Sequence, residues 1–446
     1  MTGPGLSRKA LGDNNRGKPS LPRGCAAIWR FGPLRLATLV WLVIVLTALA
    51  TPSHAQRRKP AEVIGVGDYR SRNFLIHTDL TPKAAAALLD DLETMLKLIS
   101  VYWGRPSQGI IQCNVVKDLE AWPRERLAQF DPAGLVQIRG GAGVCISHTI
   151  SSGNKFIAKS IVYAVAKGGV PQHEAVHAYC AQTFGRTGPI WYAEGMAEMG
   201  QYWINGKKGV NAYPLAIEYL KQNRPKTLAE LVIVDERLGG TWQDYAWWWS
   251  LCHMLENNPN YSKQFRLLGN GILANNGMSF QQVFGPVARQ VTFEYNFFMQ
   301  HLESGFRVEL CAWDWKKKFL PMKVTGRTTA ANVLAARGWQ PTGLTVSPDI
   351  KYEYTTKGKW KTTKDGEPVE AGGDADGKGR LMGVLMRDYQ LSKPFALATS
   401  GTFRFKVTAD LYVRCNDEWP QLADNSGRIS MRIKVKREKP SRPKEN

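Results

Sequence analysis

The period of the apolar positions changes along the chain and divides it. Residues 73–80 read as a strand, and Thr81-Pro82 then open an amphipathic helix running to about Tyr102. Strand-like runs follow at 109–116, 134–139, 144–149 and 160–166. From Asn211 to about Leu302 the pattern is mostly helical. Short helices are expected at 215–222 and 227–234, a longer one at 243–255, and closing helices at 279–287 and 289–301. After about Thr325 apolar residues alternate with polar ones among Gly and Asp. Strands are expected at 350–354, 381–386, 402–407, 410–413 and 429–435, the last alternating strictly. The pattern predicts an α+β chain, with strands and helices over 56–325 and a small all-β sandwich over 332–437.

The N-terminus stands apart. Residues 36–50 form a 15-residue apolar run behind Arg23, Arg30 and Arg35, and Ser53-His54-Ala55 follow as a small-x-small cleavage pattern. A spanning helix needs about 20 apolar residues, so residues 1–55 fit a signal peptide better. Retention as an N-terminal anchor is the alternative. The expected location is therefore exported: periplasmic, cell-surface or secreted. Cleavage removes seven Lys/Arg and one Asp from a chain of net charge +21, leaving +15. Such a charge favours acidic glycans, polysaccharides or membrane surfaces, and an ordinary soluble basic surface also has it. No nucleic-acid motif accompanies it, and export argues against DNA. A membrane becomes a partner only if the segment stays uncleaved. Residues 438–446, with Lys439-Pro440-Ser441-Arg442-Pro443-Lys444, read as a disordered basic tail.

Seven cysteines fall to six once Cys25 leaves with the signal, which permits disulfides without fixing them. Cys113 and Cys145 lie in strand-like segments close in sequence and form the first candidate pair.

Candidate chemistry concentrates in His173-Glu174-Ala175-Val176-His177. On a helix, positions i and i+4 share a face, so both imidazoles can reach one metal ion. Glu174 sits beside that metal, where it can accept a proton from water. Pro171-Gln172 precede the motif and Gly185 is a plausible stop. Two histidines four apart also occur on ordinary surface helices, and the next segment is what makes a site of them. Pro189 opens a second helix, and sixteen residues separate His177 from Glu194, enough for a turn and a return. A catalytic zinc wants three protein ligands and an open position, which His173, His177 and Glu194 meet. Glu198, one turn on, could take the second N–H of a ligating histidine. Cys180 differs in phase from the histidines and reads as core or disulfide.

His-Glu-x-x-His followed by Trp191-x-x-Glu194-Gly195-x-Ala197-Glu198 resembles the gluzincin group of zinc metallopeptidases, and more narrowly the bacterial peptidase MA-like families. The resemblance implies a mixed sheet with helices over 56–325, His173, His177 and Glu194 as zinc ligands, Glu174 as base, Glu198 behind the ligands, and peptide-bond hydrolysis. Some gluzincins use a tyrosine hydroxyl from a downstream helix to stabilise the oxyanion, and Tyr245 is the candidate here. His253, further along that helix, reads better as a core histidine, and Trp247-Trp248-Trp249 as core. One strand should be the sheet edge that pairs with an extended peptide in gluzincin clefts, without the sequence saying which.

A second loop has its own chemistry. Asn416-Asp417-Glu418-Trp419-Pro420-Gln421-Leu422-Ala423-Asp424-Asn425-Ser426-Gly427 joins the last two strands and is rich in the oxygen ligands calcium prefers. Alone it reads as a polar hairpin loop. With Val333-Leu334-Ala335, Thr342-Gly343-Leu344, Lys357-Gly358-Lys359-Trp360 and Gly383-Val384-Leu385-Met386 in order, it resembles the calcium-dependent galactophilic lectin family of bacteria across 332–437. The resemblance implies calcium held by Asp417, Asp424 and Asn425 side chains, the Gln421 carbonyl, and a carbonyl near Thr363. It also implies a sugar bound through the calcium. The family's sugar-contacting histidine has no counterpart, since no histidine follows His301.

The expected protein is an exported zinc peptidase acting on proteins or peptides, with a module for calcium and glycans. The alternative is a non-catalytic carbohydrate-binding or adhesion protein that uses the peptidase fold as a scaffold.

Overall fold

Thr81 accepts the backbone N–H of Ala84 and Pro82 takes the first helical turn, so the helix after residue 80 starts where capping chemistry puts it. It runs Pro82–Trp103 (α1) and buries the stripe Ala85, Leu89, Leu92, Met95 and Leu96. The computed structural model describes residues 65–152, 155–232, 240–322 and 328–436. The segment 1–55 with Cys25, the tail 438–446 and the end of the helix expected at 227–234 lie outside the described residues.

The architecture is mixed α and β. Before α1 come β1 (Gly67–Arg70) and β2 (Phe74–Thr78). After it come β3 (Ile111–Val116), α2 (Arg124–Leu127), α3 (Pro132–Arg139), β4 (Gly143–Ser152) and β5 (Lys155–Val165). Helices follow: α4 (Val170–Phe184), α5 (Ile190–Gln201), α6 (Pro214–Gln222), α7 (Leu228–Leu231), α8 (Trp242–Asn257), α9 (Ser262–Leu273), α10 (Phe280–Phe284), α11 (Ala288–Gln300) and α12 (Val308–Cys311). The first sheet has the order β1-β2-β3-β5-β4, with β2–β3 and β3–β5 parallel and the outer pairs antiparallel. Its strands share a core with α1, α4, α5 and α8, where Trp191, Trp247 and Trp249 are fully buried.

Two expectations are corrected. Residues 134–139 are helical, not extended. Asp131 caps α3 by accepting the N–H of Ala133, and Pro132 sits in its first turn, so local capping overrides the β-propensity of Val136 and Ile138. Cys113 and Cys145 are not bridged. Both face Val162 in the strand register, so β5 runs between them, and the cysteines at 113, 145, 180, 252, 311 and 415 are all free.

The second part holds β6 (Leu320–Pro321), β7 (Thr328–Leu334), β8 (Gln340–Val346), β9 (Lys351–Lys361), β10 (Leu381–Arg387), β11 (Gln390–Leu391), β12 (Phe395–Ala396), β13 (Ser400–Arg404), β14 (Ala409–Cys415) and β15 (Ser426–Val435). They form two sheets, β11-β10-β14-β8-β6 with β12 on β10, and β13-β9-β15-β7. Residues from both sheets, among them Leu344, Leu411, Val413, Ile429 and Ile433, share one apolar core. β6 joins β8 in parallel at Leu344 and Thr345, so the second part begins before the boundary expected near 325.

Aromatic packing joins the two parts. Phe297 of α11 shares an apolar cluster with Trp313, Trp339 and Tyr412, and Trp419 packs on Phe297 and His301 at ring distances of 5.1 and 4.7 Å. Beside them the buried Glu294 accepts from Asn258 Nδ2 (2.5 Å), Asn260 Nδ2 (3.0 Å), the Tyr261 hydroxyl (2.9 Å), Trp315 Nε1 (2.6 Å) and the Trp313 backbone N–H (3.3 Å). No helix among the described residues is long and apolar enough to cross a membrane.

One buried carboxylate lacks such a cradle. Burial pushes Glu256 of α8 up to about 7, against the pull of Tyr102 and Arg266. A carboxyl whose folded pKa exceeds its ordinary value costs stability once ionised. That cost grows as pH rises from about 4.5 to 7 and is complete above. Glu256→Gln is therefore expected to stabilise by about 1–3 kcal/mol at pH 8 and by little at pH 5, read by urea unfolding. An equal effect at both pH values would contradict the assignment.

Candidate metal centre

The site is built by two helices that meet at close range. α4 ends at Gly185, whose φ of +74° closes the helix, and the chain returns through Pro189 into α5. Gly195, next to Glu194, lets α8 approach: a Cβ there would lie 2.5 Å from Cys252 Sγ and 2.9 Å from the Trp248 carbonyl oxygen. The glycine thus brings Tyr245, in the first turn of α8, against the residues of α4 and α5.

His173 Nε2 lies 3.2 Å from His177 Nε2, and Glu194 Oε2 lies 3.3 and 3.4 Å from these two atoms. Three ligands at about 2.05 Å from a tetrahedral zinc are about 3.3 Å apart, so the triangle has the size of one tetrahedral face. Among the described residues, this is the one group of three His, Cys, Asp or Glu side chains whose ligand atoms converge so closely. All three predicted ligands are brought together. Glu198 Oε1 stands 3.2 Å from His173 Nδ1, the atom turned away from the triangle, though the contact is not aligned as a hydrogen bond.

The electrostatics follow from burial and these neighbours. Burial opposes charge on His173, but Glu194 and Glu198 outweigh it and hold the imidazole up at about 10. Burial likewise works against ionised Glu194, yet the two histidines hold its carboxyl well below the usual range. Glu174 shifts upward, because burial outweighs the pull of His173 and His177. Its carboxylate touches no edge of the triangle.

Glu174 points into a cleft of about 830 Å³ lined by both histidines, Glu194, Glu198 and Tyr245. One wall is β4, through Gly143, Val144, Cys145 and Ser147. β4 is an outer strand of its sheet, paired on one side only, as β1 is at the other end. Tyr245 stacks near-parallel on His173 at 6.1 Å, and burial with the nearby Glu194 and Glu174 keeps its hydroxyl protonated. His253 does not line this cleft. It is buried between Trp249 and Phe298, and burial pushes it down to about 4. Gln137, Arg186, Gln201 and Trp242 also line the walls. They were not singled out above, since each comes from a different segment and nothing local marks it.

The 416–427 loop does join β14 to β15, and its middle, Trp419–Asp424, is a 3-10 turn. The Asp417 side chain is fully buried, and its Oδ2 has no partner. Asn425, also buried, donates to the Ala335 carbonyl, while its Oδ1 is unpartnered. Asp424 is exposed, and Gln421 Oε1 accepts from Lys378. Two orphaned buried oxygens in one loop suit a cation.

No family model and no curated protein matches this chain. Among solved structures, the EclA N-terminal domain, described as a PllA-like lectin, matches 24% of this chain and 96% of its own, at 14% identity and a TM-score of 0.19.

Proposed function

We propose that the protein is an exported zinc-dependent peptidase of the gluzincin type, with a C-terminal β-sandwich that binds calcium and glycans. The observation that carries the reading is the triangle of His173, His177 and Glu194, sized for one face of a zinc tetrahedron and open to a cleft. When bound, zinc polarises the scissile carbonyl and acidifies water at its open position.

The remaining work falls to the chain's own residues. An extended peptide adds to β4 through the backbone groups of its free edge, which holds the scissile bond over the triangle. Glu174 takes the proton of the attacking water and returns it to the leaving amine, a task suited to a carboxyl shifted upward. Tyr245 donates its hydroxyl to the oxygen that gains charge. Glu198 orients His173 from behind. The β-sandwich holds the enzyme near glycosylated substrate and raises its local concentration. The orphaned oxygens of Asp417 and Asn425 support the calcium part of this reading.

The test is metal analysis of the purified chain with a protease assay, before and after chelation and zinc return. One zinc per chain and chelator-sensitive hydrolysis restored by zinc are expected. A zinc-free chain without activity, yet binding glycans with calcium, would instead favour the adhesion reading.

Gly143 gives a second check. A Cβ at this position would lie 2.7 Å from Val170 Cγ1 and 3.0 Å from Glu174 Oε1. Gly143→Ala must push Glu174 aside, and a displacement of that kind is expected to lower kcat by about ten- to a hundredfold with zinc content unchanged. Wild-type kcat in this variant would show that Glu174 does not need its present position.

A further inference from the structure

Lys378 lies between Gly377 and Gly379, whose φ values of +80° and +73° bend the chain into a tight loop. That loop is stitched to the start of 416–427. Gly379 N–H donates to the Asn416 carbonyl (2.7 Å), Asn416 N–H donates to the Arg380 carbonyl (2.7 Å), and Asn416 Nδ2 donates to the Gly377 carbonyl (2.8 Å). The lysine is thereby delivered to the second loop. Its Nζ lies 3.2 Å from Asp417 Oδ1 and 3.2 Å from Gln421 Oε1.

We propose that Lys378 is a tethered, displaceable cation that competes with a divalent metal ion for the 416–427 loop. The inference rests on reading that loop as a calcium site. An ammonium brings one charge and three N–H groups. It satisfies the oxygens on its own side, Asp417 Oδ1 and Gln421 Oε1, and leaves Asp417 Oδ2 and Asn425 Oδ1 without partners. Calcium takes about six to eight oxygens and would engage those two as well. The ammonium and the ion share Asp417, so like-charge repulsion forbids both from sitting there at full strength. The lysine side chain is about one-third exposed (35%) and can swing into water when the ion arrives. The loop then exists in two forms, one closed by its own lysine and one closed by calcium.

The test is calorimetric titration of calcium chloride into the full chain, wild type beside Lys378→Met and Lys378→Arg. Lys378→Ala repeats the measurement without bulk should the methionine variant misfold. Lys378→Met is expected to bind calcium at least about tenfold more tightly than wild type, and Lys378→Arg to stay as weak. The unfolding temperature of Lys378→Met should also rise more steeply with calcium. Equal affinity in wild type and Lys378→Met would overturn the role of the lysine and leave the calcium site standing. No binding in either would overturn both.

Discussion

Under the proposed zinc-peptidase function, Glu174→Gln is expected to lose peptide hydrolysis while keeping the metal. Glutamine has the shape of glutamate, and the three ligand atoms come from His173, His177 and Glu194, so the metal content should not change. What disappears is the capacity to accept and return a proton. General base catalysis contributes about 10²–10⁴ in rate, and here one group serves both halves of the reaction. A fall in kcat of about 10³ with a small change in KM is the expected result, measured on the zinc-loaded variant. The combination is diagnostic, because a variant that lost activity by losing zinc would recover when zinc is added. A variant retaining more than about a tenth of wild-type kcat would remove Glu174 from the mechanism.

The largest stability effect is expected at Glu294, which does not line the cleft. Its carboxylate is nearly inaccessible (4% exposed) and accepts from five donors, three in the 258–261 turn between α8 and α9 and two in the 313–315 segment. Burial raises its pKa, and those donors pull it back. Alanine would strand them in an apolar setting, and each lost partner carries its own desolvation cost. A buried donor left without a partner costs about 1–3 kcal/mol, and with several stranded together a net loss of about 3 kcal/mol or more is expected. Glu294→Ala should therefore unfold at clearly lower urea, with tryptophan emission shifting at Trp313 and Trp315. A loss below about 1 kcal/mol would mean that the donors find other partners.

The sequence made some of this visible for physical reasons. The convergence of His173 and His177 was legible because i and i+4 fix a shared face whatever surrounds it, and that of Glu194 because a short turn leaves few places for the next helix. The first turn of α1 was legible because Thr81 and Pro82 act locally. What escaped turned on a local cap in one case and on long-range pairing in the others. Residues 134–139 carry Val136 and Ile138, and only the cap at Asp131 tells them from a strand. Cys113 and Cys145 looked adjacent because the intervening strand arrives later in the chain. The edge strands could not be named, since being an edge is a property of the sheet order. Lys378 is marked only by two flanking glycines, and its partners are about 40 residues away.

The segment from Trp313 to Pro321 serves both parts of the molecule at once. Trp313 and Trp315 complete the packing and hydrogen bonds around α11, and Leu320–Pro321 then adds a strand beside β8. Cutting the gene near 325 would take a strand from one side and separate it from its sheet. Cutting before 313 would strip the other side of its aromatic cover. The fold therefore leaves no clean seam between 313 and 321 at which the chain can be cut with both sides intact.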